Sequence, residues 1–175
     1  MWVDECGTHT SMPTRLRARA PKGERAYGSV PRNRGKNTTL IASMTLRGAM
    51  GEAMAVEGST KAFVFEAYVE HFLLAPTLQE GQVVVMDNLW AHKTDRVKEL
   101  IEERGCQLWF LAAYSPDLNP IEEAFSKIEA YLRKAAARTR EALVEAMGQA
   151  LSAVTSRDVA GWIAHCSYGF RGQPS

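Results

Sequence analysis

This chain of 175 residues has no long hydrophobic run. No stretch approaches the roughly 20 consecutive apolar residues of a membrane span, which excludes a helical anchor within it. A signal-peptide pattern is also missing, because Asp4 and Glu5 follow directly on Met1-Trp2-Val3. Cysteine is scarce: Cys6, Cys106 and Cys166 are odd in number and widely spaced. That argues against a disulfide framework and for reduced thiols in a cytosolic setting. Cys6-Gly7-Thr8-His9 looks like half of a zinc site. No second pair has ligand spacing, since His165 and Cys166 are adjacent, and structural zinc is not expected. Internal repeats and low-complexity tracts are absent, and the formal net charge is only +1. What remains is the composition of an ordinary globular domain large enough to bury a core.

The charge is not spread evenly. Residues 1–40 carry eight basic side chains (Arg15, Arg17, Arg19, Lys22, Arg25, Arg32, Arg34, Lys36) against three acids, Asp4, Glu5 and Glu24. Such a block is an electrostatic footprint for a polyanion, and on charge alone a solvated basic loop explains it equally well.

Hydrophobic patterning predicts a short strand over 1–6, then an irregular arm or hairpin over 7–36 with pairing around 25–30. A β-branched strand follows over 37–45, a turn at Arg47-Gly48, and an antiparallel return over 49–57. Ser59 or Thr60 is expected to cap a helix that turns Phe63, Tyr68 and Phe72 inward before Pro76. Residues 82–86 read as a strand covered on both faces, and 92–104 as an amphipathic helix stopped by Gly105. A strand over 107–111 and helices over 121–136 and 139–154 come next, then a third helix capped by Ser156. Strands lead and then alternate with helices, so the class is α/β with a mixed sheet. One domain is expected over residues 1–170, with 171–175 as a frayed tail.

Three acids stand out. Asp87 ends the apolar run Val83-Val84-Val85-Met86, at the carboxyl end of a central strand. Asp4 ends Met1-Trp2-Val3 in the same way, and Glu122 lies in the first turn of the helix opened by Asn119-Pro120. Open α/β sheets place ligands outside strand ends, and carboxylates suit Mg²⁺ because they are hard anions. Two such ions about 3.5–4 Å apart activate the attacking oxygen and stabilise the leaving one in phosphodiester chemistry. Each acid also has a plainer reading. Asp87 before Asn88 suits an Asx turn, and an acid near a chain start is usually solvated. With Asn119 as N-cap, Glu122 sits where a capping box closes.

Asp87-Asn88 with His92-Lys93, followed by Tyr114-Ser115-Pro116-Asp117-Leu118-Asn119-Pro120-Ile121-Glu122, resembles the DDE catalytic domain of IS630/Tc1/mariner-type transposases. Thirty-four residues separate Asp87 from Glu122, an interval characteristic of that superfamily's second and third acids. Asp4-Glu5 resembles the first acid, and residues 31–39 resemble the segment after that acid in the bacterial branch. The likeness covers about residues 2–135.

The resemblance implies an RNase H-like mixed sheet flanked by helices, with Asp4, Asp87 and Glu122 as catalytic metal ligands for two Mg²⁺ ions that Mn²⁺ can replace. It implies cleavage at transposon ends and transfer of the freed 3′-hydroxyl into target DNA, typically at a TA dinucleotide. The implied partners are double-stranded DNA and a second copy of the chain, in the nucleoid-associated cytoplasm of a bacterium. The 34-residue interval selects Glu122 over Glu123, since adjacent helix positions point about 100° apart. Arg32, Arg34 and Lys36 are candidates for phosphate contacts. Asn88 and His92 are expected either to contact DNA or to orient a ligand carboxylate. Asp117 reads as a turn or cap residue, and Trp90 and Trp109 as core or surface packing residues rather than base-stacking platforms.

Two departures from the family pattern stand out. Relatives carry helix-turn-helix domains before the catalytic domain, whereas three residues precede Asp4 here, so a shortened first strand is expected. An upstream reading frame supplying a helix-turn-helix segment is one explanation, and a decayed fragment is the other. Ala112-Ala113 also stands where relatives commonly have prolines. A non-catalytic DNA-binding or dimerising remnant, and a nuclease acting on RNA–DNA hybrids, remain the competing readings.

Overall fold

In the computed structural model, residues 1–12, 19–28, 35–74, 78–113 and 115–168 are described. They form a five-stranded sheet in the order β3-β2-β1-β4-β5. Strands β1 (Trp2–Thr8), β2 (Thr38–Thr45) and β3 (Ala49–Glu57) make an antiparallel meander. Gly48, at φ 81°, supplies the turn between β2 and β3. Strands β4 (Val83–Met86) and β5 (Gln107–Phe110) then add in parallel beyond β1. A parallel pair needs a crossover. Helix α1 (Ala62–Tyr68), extended by a π-helical turn over Val69–Leu73, leads into β4, and α2 (Asp95–Glu102) leads into β5.

Alternation along each strand divides the apolar residues between two cores. Trp2, Leu40, Ala42 and Met44 face α3 (Pro120–Ala135), α4 (Arg140–Ser152) and α5 (Ser156–His165). Val3, Ile41, Val84 and Met86 face α1 and α2 on the other side. In α3 the helical spacing of Ile121, Phe125, Ile128 and Leu132 puts four side chains into the first core. Each contributes about 1.5–3 kcal/mol of burial, so a charge at Ile128 would undo the docking of the helix that carries Glu122.

Several local expectations give way. Lys61, not Ser59 or Thr60, is the N-cap of α1 and makes no side-chain cap. Tyr68 is buried as expected, but Phe65 rather than Phe63 joins it, and Phe63 is 65% exposed. The segment predicted as one helix from 92 splits: Trp90–His92 form a 3₁₀ turn, and Thr94 caps α2 by accepting the Val97 N–H. α5 is capped by Thr155 rather than Ser156, through a reciprocal box with Asp158. β4 is sealed on one face only, with Val84 and Met86 buried and Val83 and Val85 half-buried. Residues 19–28 contain no strand, and the rest of the expected hairpin and the tail lie outside the described residues. β1 runs seven residues and pairs with β2 throughout.

Candidate active site

The sheet register sets the first two acids side by side. β1 and β4 pair in parallel at Trp2 with Val85 and Val3 with Met86. The next residues are Asp4 and Asp87, level with each other at the end of β4, while β2 continues to pair with Asp4 through Ala42. Asp4 shares the face of Trp2, toward α3, and Glu5 shares the face of Val3, toward α1.

Asp4 is 3% exposed. Its Oδ1 accepts the Glu5 N–H at 2.7 Å and its Oδ2 accepts the Asn119 amide at 2.6 Å. Burial pushes its pKa up to about 7, the Glu5 N–H opposes that rise, and the neighbouring Asp87 and Glu122 carboxylates add to it. The Asn119 contact also overturns one reading of Glu122. Asn119 occupies the N-cap of α3 but makes no side-chain cap; its amide is committed to β1. The capping box therefore does not form, and Glu122 stands exposed at the start of α3. Partial desolvation at the cavity wall raises the pKa of Glu122, and the charges of Asp87 and Glu129 add to it. Glu123 points elsewhere, to His165 Nδ1 at 3.1 Å.

Asp87 does form the Asx turn, with Oδ1 accepting the Leu89 N–H at 3.1 Å. The same oxygen lies 2.6 Å from His92 Nδ1, and His92 Nε2 lies 3.5 Å from Glu5 Oε2. Neither ring N–H is aligned as a hydrogen bond, so these are charge contacts. Burial lowers the basicity of the ring, but the two carboxylates together outweigh it and raise the His92 pKa to about 9. The ring has 0% exposure and stacks on Phe65 with centroids 4.0 Å apart. Of the two roles expected for His92, contact with DNA gives way: a fully enclosed ring presents no atom to a duplex. Its contact is with the Asp87 carboxylate.

A cavity of about 340 Å³ opens between Asp87, Asn88, Leu111, Ser115, Asn119 and Glu122. Asn88 is exposed on its wall. Lys36 is exposed beside Glu57, its Nζ 2.5 Å from a carboxylate oxygen, and Arg32 and Arg34 lie outside the described residues. Asp117 sits exposed in the 3₁₀ turn Pro116–Leu118. Trp90 and Trp109, expected as packing residues, are 73% and 59% exposed.

The three acids feel one another's charge, but among the described residues no three acid, histidine or cysteine side chains close into a metal-binding group. Like charges repel, and Asp4 and Asp87 each turn to protein partners. Asp4 lies inside β1 rather than at the strand end expected, yet the donor chemistry suits a hard divalent ion: carboxylates from β1, from the end of β4 and from a helix start, one of them buried at a cost that a cation would relieve.

A mixed sheet in this order, with helices on both faces and acids gathered at one end, is an RNase H-like fold. A sequence profile of the DDE superfamily endonucleases matches residues 1–144, and the chain belongs to that family. Among solved structures, a Mos1 transposase paired-end complex with left transposon end aligns at TM-score 0.72 and 19% identity, over 95% of this chain and 52% of that one. The Mos1 strand transfer complex aligns at 0.68 and 19%, over 99% of this chain and 55% of that one. The catalytic domain of Mos1 mariner transposase aligns at 0.61 and 16%, over 95% and 78%. The chain thus spans about half the length of the transposase chains in the first two. No curated protein matches it.

Asn119 and Glu5 are the site residues that sequence reasoning missed. Strand alternation at Asp4-Glu5 carries a signal for Glu5. For Asn119, the strong N-cap preference of asparagine hides the other use of its amide.

Proposed function

We propose that the chain is the catalytic portion of a DNA transposase of the IS630/Tc1/mariner type, with one catalytic domain over residues 1–170. It cuts at transposon ends and joins the freed 3′-hydroxyl to target DNA at a TA dinucleotide. The observation that carries this reading is the parallel register that sets Asp4 beside Asp87, with Glu122 across the same cavity. Asp4, Asp87 and Glu122 would hold two Mg²⁺ ions, or Mn²⁺ in their place, which when bound activate the attacking oxygen and stabilise the leaving one. The protein's own part is to hold these oxygens on rigid elements, and Asn119 fixes Asp4 to the start of α3.

Asn88, on the cavity wall, and Lys36, Arg32 and Arg34, along the basic segment, are the proposed DNA contacts. The Mos1 paired-end complex contains a left transposon end, which supports DNA as the partner. A homodimer, an upstream helix-turn-helix segment that reads the ends, and a place with the nucleoid in a bacterial cytoplasm complete the reading. Among the described residues no helix is long and apolar enough to cross a membrane.

A second reading, a non-catalytic remnant that binds DNA or dimerises, is favoured by one observation: the three acids do not close into a ligand set. Incubating the chain with Mn²⁺ and labelled duplex ends separates the two. Nicking and strand transfer by the wild type, lost in Glu122→Gln, support the transposase reading. DNA binding with no cleavage by the wild type supports the remnant, and preferential cleavage of RNA–DNA hybrids would point to a stand-alone nuclease.

A further inference from the structure

The fold places one fully buried ring between carboxylates from two different strands. His92 Nδ1 meets Asp87 at the end of β4, and Nε2 faces Glu5, the residue after Asp4 on β1. The ring is locked on its third side by Phe65 of α1. On Asp87, Oδ1 is committed to the Leu89 N–H and to His92, and no protein partner meets Oδ2 among the described residues. Asp87 itself lines the cavity that Glu122 also lines.

We propose that His92 is a positioning residue: it holds Oδ1 of Asp87 against the Leu89 turn, anchored through Glu5 to β1, so that Oδ2 is directed to a divalent ion in the cavity. The arrangement ties the second acid to the strand that carries the first. A shift of β1 against β4 is then transmitted to both. The inference rests on the metal-site reading above and adds to it residues that touch no ion. Partners of this kind typically change metal affinity by about 10–100-fold.

The test combines two readouts on the full chain. Mn²⁺ affinity is measured by calorimetry for wild type, His92→Phe, His92→Asn and Glu5→Gln. In parallel, a double-mutant cycle of His92→Asn and Asp87→Asn is followed by urea unfolding in the presence of chelator. His92→Phe keeps the stack on Phe65 and removes both donors, and its Mn²⁺ affinity is expected to fall by about tenfold or more. His92→Asn also removes the charge, and its affinity is expected to fall with that of His92→Phe. The cycle is expected to show coupling of several-fold in the unfolding constant.

An additive cycle overturns the proposal, because His92 and Asp87 then act independently. Equal Mn²⁺ affinity in wild type and a folded His92→Phe also overturns it while leaving the metal site intact. An Asn variant that binds Mn²⁺ as tightly as the wild type overturns it too, because the charge contact is then dispensable. A wild type that takes up no Mn²⁺ sinks the metal-site reading, and the positioning role with it. Should His92→Phe fail to fold, Glu5→Gln decides: affinity lowered several-fold upholds the anchor, and unchanged affinity removes it.

Discussion

Two aspartates in this molecule have been driven in opposite directions. Asp158, in the first turn of α5, receives Lys127 Nζ at 2.5 Å, the Thr155 N–H at 2.8 Å and the Thr155 hydroxyl at 2.6 Å. These donors, Lys127 first, hold its carboxyl well below the usual carboxylate range. Asp4 also accepts two hydrogen bonds, yet burial beside two other carboxylates pushes it up to about 7. The difference lies first in burial, deep for Asp4 and only partial for Asp158, and then in the charge of the neighbours. At the junction of α3 and α5 a lysine completes the pair, and the acid serves the fold. Where β1 passes the end of β4 the fold gathers Asp4, Asp87 and Glu122, and among the described residues the only basic side chain buried with them is His92. A site that concentrates one sign of charge is held for something other than stability.

Several measurements sharpen or break that contrast. The largest effect is expected for Asp87→Asn and Glu122→Gln, which should each weaken Mn²⁺ binding by more than about a hundredfold, beyond the loss typical for a residue that only supports a ligand. Circular dichroism should show an unchanged fold. Retained affinity in either would remove that residue from the site.

Asp4→Asn comes next and is expected to split function from stability. Metal binding should weaken to a similar extent while the chelated protein gains about 1–3 kcal/mol at pH 8, read by urea unfolding, because the buried charge is gone. The sign also sets a pH dependence. The native state holds the Asp4 proton more tightly than the unfolded chain does, so stability should fall as pH rises from about 4 through about 7. The variant should flatten that slope, and a steeper slope would contradict the burial argument.

Thr155→Ala removes the α5 cap and should lower stability by about 1 kcal/mol, with Mn²⁺ affinity untouched. Asp158 carries the opposite pH signature from Asp4: its stabilisation is present above its unfolded pKa of about 4 and is lost below that as acid protonates it. Acid melting that is unchanged in Asp158→Asn would show that the pair with Lys127 contributes nothing. The smallest effect is expected for Lys36→Ala, which should leave stability unchanged. It should lower the slope of log DNA affinity against log salt by about one.

How much of this was legible in the sequence depends on the range of the forces involved. The run Val83–Met86 marks a buried strand through hydrophobicity alone, and an acid at its end is legible without a structure. Pro120 after Asn119 fixes the start of α3 because proline suits the first helical position, and Glu122 is placed with it. Thr155 and Ser156 offer equivalent hydroxyls one residue apart, and Asp158 decides between them through a reciprocal bond that either register allows on paper. Phe63 and Phe65 lie on different sides of a short helix, and only its docking against β4 and His92 selects the one that is buried. The sequence leaves His92 between a DNA contact and a carboxylate partner, and its burial depends on a 3₁₀ turn that tucks Ala91 and His92 under α1. The amide of Asn119 reaches across 115 residues of sequence to Asp4. Such long-range polar contacts leave no local periodicity, and they are what distinguishes a capped helix from an assembled site.

The central claim is that Asp4, Asp87 and Glu122 serve one divalent site, and calorimetric titration of Mn²⁺ into the folded wild type and the three single variants Asp4→Asn, Asp87→Asn and Glu122→Gln tests it most directly. The account predicts a saturable uptake in the wild type that each substitution removes to a similar extent. A silent wild type, or any one variant that titrates like it, would contradict the claim.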